Sequence, residues 1–230
     1  MSAFPFAMIG FDLDGTLVDS NLDLAPSINH ALRLAGREEI PAHATRKLIG
    51  GGARLMLRRA LDLTGGPLPD AEFEEASAAQ MAYYETHIAD FTTPFPGCLD
   101  ALDLLAELGC ALCVVTNKVE RNALKLLDTL GMLDRFHCVI GGDTMGPGRA
   151  KPEPDPILEA IYRCGGDGAF AMIGDSSYDV GAARAAGVPS VVLGFGYNDA
   201  PARELGADAV IDHFDELVPT LRRMGQPGGS

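Results

Sequence analysis

The chain has 230 residues, 47% of them hydrophobic and 22% charged, and a formal charge of −14 from 32 acids against 18 lysines and arginines. That is the composition of a globular protein with a substantial core, in one large domain or two modest ones, and without an apolar run long enough to cross a membrane. The acidic surface repels phosphate backbones and so argues against a nucleic-acid binder, whereas a small anion can still be drawn to a local positive pocket or a metal.

The N-terminus lacks the basic segment and long apolar stretch of a secretory signal, so the expected compartment is the cytoplasm. Phe6 to Phe11 is an apolar run of strand length that stops at Asp12-Leu13-Asp14-Gly15-Thr16. Residues two apart on an extended chain face the same side, so Asp12 and Asp14 are directed at one site. Two neighbouring carboxylates removed from water need a cation between them or a proton on one.

Residues 21–92 differ in character. Leu24, Ile28, Ala31, Leu32 and Ala35 recur at helical spacing, and Gly36 can end that helix. Pro41 opens a second helix to about Ile49. After Gly50-Gly51-Gly52, a third runs through Leu55, Met56, Ala60 and Leu63, and Phe73, Ala76, Gln80, Tyr84 and Ile88 mark a fourth. No strand pattern occurs here, which reads as a helical domain inserted between the first strand and the rest. The expected organisation is 1–20 plus 93–230 as an α/β core and 21–92 as a small helical cap.

Beyond the insertion, helices alternate with apolar strands. The strands are expected at Ala111 to Thr116, His137 to Ile140, Ala169 to Gly174, Ser190 to Leu193 and Ala209 to Ile211. The helices are expected at about 99–108, 120–130, 155–164, 178–186 and 201–205, with a last one ending near Arg223. Gln226 to Ser230 reads as a flexible tail. Apolar strands separated by helices imply a doubly wound parallel sheet, whose ligand site lies beyond the carboxyl ends of the strands. Five cysteines form no disulfide scaffold. Cys110-Ala-Leu-Cys113 lies on a strand with no second Cys/His pair, and is read as core.

The strand ends gather Asp12 and Asp14, then Thr116-Asn117-Lys118, then Gly174-Asp175-Ser176-Ser177-Tyr178-Asp179, with Lys151-Pro152 delivered by a turn-rich stretch. Asp175 and Asp179 are one helical turn apart. Such a set suits phosphoryl transfer. Clustered carboxylates want a hard divalent cation, Mg²⁺ for oxygen ligands. One carboxylate can attack phosphorus while a second handles the leaving-group proton, with Thr116 and Lys151 on the phosphoryl oxygens.

These four motifs, in this order, resemble those of the haloacid dehalogenase superfamily, and the insertion resembles its α-helical cap of the first type. The resemblance implies that Asp12 is the nucleophile and Asp14 the general acid/base. It also implies Mg²⁺ held by Asp12, Asp175 and the main-chain oxygen of Asp14, with Asp179 supporting the metal's water shell or Lys151. Phe11 to Ser20, Val139 to Asp143, Lys151 to Asp155 and Val192 to Tyr197 further resemble the bacterial phosphoglycolate phosphatases. The reaction so implied is hydrolysis of 2-phosphoglycolate to glycolate and phosphate through an aspartyl-phosphate, by a cytoplasmic monomer or homodimer acting on a small phosphorylated metabolite.

Within the superfamily, dehalogenases and phosphonate hydrolases lack an acid at the position of Asp14, so its presence favours a phosphatase. A sugar-phosphate phosphatase or a β-phosphoglucomutase-like mutase stays open. A receiver-like signalling domain fits the acidic cluster, but not the insertion or the neighbouring acid. For substrate contacts the candidates are Thr116, Asn117, Lys118 and, from the cap, Arg54, whose alternative is simple solvation. Gly50 to Gly52 reads either as an interhelical turn or as a loop touching the substrate. Lys47 is read as a surface residue, Tyr83, Tyr84 and the methionines as cap packing, and the histidines carry no assigned role.

Overall fold

The structure, a computed structural model, describes residues 4–225. The tail expected at Gln226 to Ser230 lies outside the described residues. β1 (Met8–Phe11) leads into a short ribbon strand β2 (Val18–Asp19) and then helix α1 (Asn21–Leu34). Helices α2 (Ala42–Thr45), α3 (Ala53–Leu63) and α4 (Asp70–Thr86) follow, and a second ribbon strand β3 (Thr93–Pro94) pairs antiparallel with β2. The remainder alternates: α5 (Cys98–Glu107), β4 (Ala111–Val115), α6 (Glu120–Thr129), β5 (Cys138–Ile140), α7 (Asp155–Arg163), β6 (Phe170–Gly174), α8 (Ser177–Ala186), β7 (Ser190–Leu193), β8 (Ala209–Ile211) and α9 (Leu217–Met224).

The six-stranded sheet has the order β5-β4-β1-β6-β7-β8, parallel throughout. This is the doubly wound parallel sheet that the sequence pattern predicts. β1 lies between β4 and β6, and the chain departs from β1 in both directions across the sheet, so a crevice forms at the carboxyl ends of these three strands. Alternate residues feed two apolar layers. Met8, Cys113, Val115, Ile140 and Met172 pack against Ile157, Ala160, Ala182 and Ala183 of α7 and α8. Ile9, Phe11, Val114, Ile173 and Val191 join the other layer, with Leu102 and Leu105 of α5 and Leu221 of α9. That layer continues into the helical insertion through Leu24, Ile28, Leu57 and Phe73.

Besides the helix expected at 201–205, which is a 3₁₀ turn at Ala202–Glu204, expected and observed elements differ in two places. The second insertion helix is one α-turn, Ala42–Thr45, followed by a 3₁₀ turn, Arg46–Leu48. Ile49 is then extended, and Gly50, Gly51 and Gly52 all have positive φ (107°, 74° and 90°), a path only glycine follows without strain. The β2–β3 ribbon is the other difference, because two-residue strands leave no periodicity to read. Both chain crossings are pinned by side chains. Asp23 accepts hydrogen bonds from Thr92 Oγ1 (2.5 Å), Thr92 N (2.8 Å) and Phe91 N (3.1 Å). At the other crossing Tyr197 Oη accepts from Ser20 N (2.7 Å) and Asn21 N (2.9 Å) and donates to Asp19 Oδ1 (2.5 Å). No helix among the described residues is long and apolar enough to cross a membrane.

Candidate active site

Asp12 follows the last residue of β1, and its N–H donates to Ile173 O of β6 (2.9 Å). The chain then wraps round the Leu13 carbonyl, which accepts from the amides of Thr16, Leu17 and Val18. Gly15 completes the turn at φ +86°. A Cβ there would lie 2.2 Å from Asp175 Oδ2, so glycine is needed for both conformation and space.

Lys151 is buried among three acceptors. Its Nζ donates to Asp179 Oδ1 (2.6 Å) and Val115 O (2.7 Å) and lies 3.0 Å from Asp12 Oδ1. The contact with Asp12 lacks hydrogen-bond alignment, so Asp12 Oδ1 is a buried acceptor without a donor. Asp179 is fully used. Its Oδ2 accepts from Asp175 N (3.2 Å), Ser176 N (3.1 Å) and Ser176 Oγ (2.6 Å), closing a capping box at the start of α8. Asp175 accepts from Thr16 Oγ1 (3.3 Å) and Tyr197 N (2.5 Å).

Carboxylate oxygens of Asp12, Asp175 and Asp179 lie within 4.8 Å of one another. Burial raises the Asp12 carboxyl to about 6, opposed by Lys151 and reinforced by the like charge of Asp179. Desolvation, then Asp179 and Asp12, push Asp175 well above the ordinary carboxylate range. If all three acids were ionised around the one lysine, the buried site would carry a net charge of −2, which is why burial favours a proton on Asp12 and Asp175 unless a cation replaces it. With the orphaned Asp12 oxygen, that deficit fits a divalent cation with oxygen ligands. Asp12 and Asp175 are the residues that would hold it.

Asp14 stands beside this cluster. Its Oδ1 accepts from Ser20 Oγ (2.6 Å) and its Oδ2 from Lys118 Nζ (2.7 Å). Lys118 Nζ lies 4.5 Å from the centre of the Tyr84 ring on α4, a contact between insertion and sheet edge. Burial depresses the Lys118 pKa, but Asp14, then Tyr84, outweigh it, so the ammonium is held charged. Thr116 is buried, with Oγ1 accepting from Lys118 N (3.2 Å), and Asn117 Nδ2 donates to Lys151 O (3.0 Å).

Asp12, Asp14, Thr116, Asn117, Lys118, Lys151, Asp175, Ser176 and Tyr197 line a cavity of about 50 Å³ that Leu24, Ser27, Ile49, Met56, Gln80 and Tyr84 also line. Gly50 to Gly52 form part of its wall, which places the glycine loop at the cavity rather than making it a turn alone. Buried polar atoms without partners cluster on this lining: Gln80 Oε1, Tyr84 Oη, Asn117 Oδ1 and Asn122 Nδ2. Orphaned polar groups are costly, and these four belong to residues that line the cavity.

Of the residues singled out in the sequence, Asp12, Asp14, Thr116, Asn117, Lys118, Lys151 and Asp175 meet at this cavity, with Asp179 behind Lys151. Arg54 does not. Glu74, one helix along, takes it in a two-pronged ion pair (2.6 and 2.7 Å) on the exposed face of α3 and α4, outside the cavity lining. Tyr84 does more than pack, since it lines the cavity and its buried hydroxyl has no partner. Tyr197, Gln80 and Asn122 were not foreseen as site residues. A glutamine within the otherwise apolar stripe of α4 is the sequence signal that points to Gln80.

Comparisons with known proteins give the family. The sequence profile of a haloacid dehalogenase-like hydrolase matches residues 6–187. A phosphoglycolate phosphatase of Agrobacterium fabrum is 41% identical over 212 residues, covering 92% of this chain and 90% of its own. One from Caulobacter vibrioides is 41% identical over 210 residues, covering 90% and 87%. A crystal structure from Haemophilus somnus 129pt, described as a predicted phosphoglycolate phosphatase, superposes with a TM-score of 0.86 at 31% identity, over 94% of this chain and 98% of that one. The chain belongs to the haloacid dehalogenase-like hydrolase family, as an enzyme of its phosphatase kind.

Proposed function

We propose that this phosphatase hydrolyses a small, carboxylate-bearing phosphate monoester, 2-phosphoglycolate, to glycolate and phosphate, with Mg²⁺ as the divalent ion. One observation carries the substrate class. The cavity is small, and beyond Lys151 it is lined by Lys118, whose ammonium is paired with Asp14, and by Tyr84 and Asn122, whose Oη and Nδ2 have no partner. Such a group of donors suits a compact anionic leaving group rather than a polyhydroxylated sugar. The relatives named phosphoglycolate phosphatase point the same way.

In this reading the Asp12 carboxylate attacks phosphorus and the ester oxygen departs with a proton from Asp14, leaving a phospho-aspartate. Asp14 then takes a proton from a water molecule that attacks the same phosphorus, releasing phosphate and restoring Asp12. Lys151 Nζ and Thr116 Oγ1 hold phosphoryl oxygens through both steps. The bound divalent ion would add positive charge against those oxygens. Residues 21–92 serve as a cap, and the crossings at 19–21 and 91–94 let it open and close.

The experiment is a steady-state comparison of 2-phosphoglycolate, hexose phosphates and an amino-sugar phosphate with Mg²⁺, read as kcat/KM. The proposal expects 2-phosphoglycolate to lead by at least about tenfold, the order of one charge-assisted hydrogen bond. A hexose phosphate in that place, or isomer formation without phosphate release, overturns it.

A further inference from the structure

On the β4–β5 side of the sheet, three cysteines from separate elements converge. Cys113 on β4 and Cys138 on β5 are register partners in adjacent parallel strands, so their side chains leave the same face of the sheet. Cys164 is the C-cap residue of α7, which packs over that face. The three sulfurs lie within 4.8 Å of one another, and Cys138 Sγ and Cys164 Sγ are 4.0 Å apart. Cys138 opens its strand and Cys164 ends a helix running back against the strands, which sets the cluster toward the sheet edge opposite the active site.

We propose that Cys113, Cys138 and Cys164 form a binding site for one thiophilic metal ion, Zn²⁺ or Cu(I). Three sulfurs bound at about 2.3 Å around a tetrahedral centre are roughly 3.8 Å apart, so the observed spacing needs only small side-chain adjustments. Soft thiolates select such ions over the hard cation suited to Asp12 and Asp175. The ligands sit on two hydrogen-bonded strands and a helix end, which limits the ordering that binding requires. Access exists as well. Cys164 is partly exposed and lines a groove with Ala111, His137 and Asp167, which leaves a coordination position open toward the imidazole or water.

Binding converts three thiols to thiolates, with their protons released to solvent and no change of oxidation state. The Cys113 thiol now donates to Ile9 O at 3.6 Å, a long contact whose loss costs little. The plainer reading, three cysteines that merely fill the core, gives no reason for three elements to direct sulfur at one point.

The test uses the reduced, metal-free full chain, with Mg²⁺ at saturation to occupy the carboxylate site. Titration with Co²⁺ should develop a thiolate-to-cobalt charge-transfer band that saturates at one ion per chain. Zn²⁺ should then erase it, or the protein should withdraw Cu(I) from a chromogenic chelator, and these arms tell the two ions apart. Cys164→Ala should remove the band, and Cys110→Ala, outside the cluster, should keep it. In the unmutated chain, the captured ion should slow alkylation of Cys164 at least tenfold by peptide mapping, a readout independent of whether the variant folds. No thiolate band and no protection, or a band that survives Cys164→Ala, overturns the proposal.

Discussion

Lys118 Nζ lies 2.7 Å from Asp14 Oδ2, with the two side chains 6% and 14% exposed, so the proposed acid/base is ion-paired before substrate arrives. The leaving-group step needs a proton donor at Asp14, and Lys118 occupies one of its two oxygens. A substrate carboxylate that draws Lys118 away would open that oxygen to the leaving group. Recognition of the substrate's charge would then be coupled to chemistry.

That coupling predicts a selective defect. Lys118→Met should lower kcat/KM for 2-phosphoglycolate by about 10- to 100-fold, the scale of a charged hydrogen bond. It should change kcat/KM far less for 2-hydroxyethyl phosphate, which lacks the carboxylate. Parallel losses on both esters would show that Lys118 serves the phosphoryl group or the fold instead.

Tyr197 joins the active site to a chain crossing. Its amide holds Asp175 while its hydroxyl accepts from the amides of Ser20 and Asn21 at the start of α1, where no side chain of the helix itself caps. Tyr197→Phe leaves both buried donors unpaired, at about 1–3 kcal/mol. A chain of this length should lose roughly 2–4 °C in Tm per kcal/mol. Calorimetry checks this, and an unchanged Tm would mean that water or another acceptor replaces the hydroxyl. Asp23→Ala, at the second crossing, should be destabilised in the same sense through the lost acceptor for Phe91 and Thr92.

The Asp12 carboxyl fixes a pH dependence. Burial raises it from 3.8 to about 6, so the folded, metal-free protein holds this proton more tightly than the unfolded chain. Below about 4 both states are protonated and the group is neutral to stability. Through pH 4 to 6 it increasingly opposes folding, and above 6 the cost levels off at about 3 kcal/mol. A divalent ion must displace this proton and any that Asp175 holds, so apparent Mg²⁺ affinity should fall by about tenfold or more per pH unit below 6. Titration calorimetry at pH 5, 6 and 7 reads this directly. A flat affinity would show that Asp12 is ionised throughout.

Much of this site was legible because a parallel sheet places its functional side chains where apolar runs stop. The runs ending at Asp12, Thr116 and Gly174 could be read without knowing the strand order, and they converge because β1 lies between β4 and β6. What stayed hidden depends on contacts between distant residues. Arg54 looked like a free cap cation until Glu74, twenty positions on, proved to hold it. Tyr197 bonds Ser20, 177 positions away in sequence, and nothing local announces it. The three cysteines are separated by a strand pairing and a helix packing that spacing does not encode.

The central claim is covalent catalysis at Asp12, and rapid quenching tests it most directly. Unmutated enzyme mixed with Mg²⁺ and phosphoryl-labelled 2-phosphoglycolate, quenched in acid within one turnover and digested, should carry label on the peptide containing Asp12. Asp12→Asn should abolish both label and turnover. Multiple turnover in the absence of any labelled enzyme in unmutated protein, or steady turnover by Asp12→Asn free of deamidation, would contradict it.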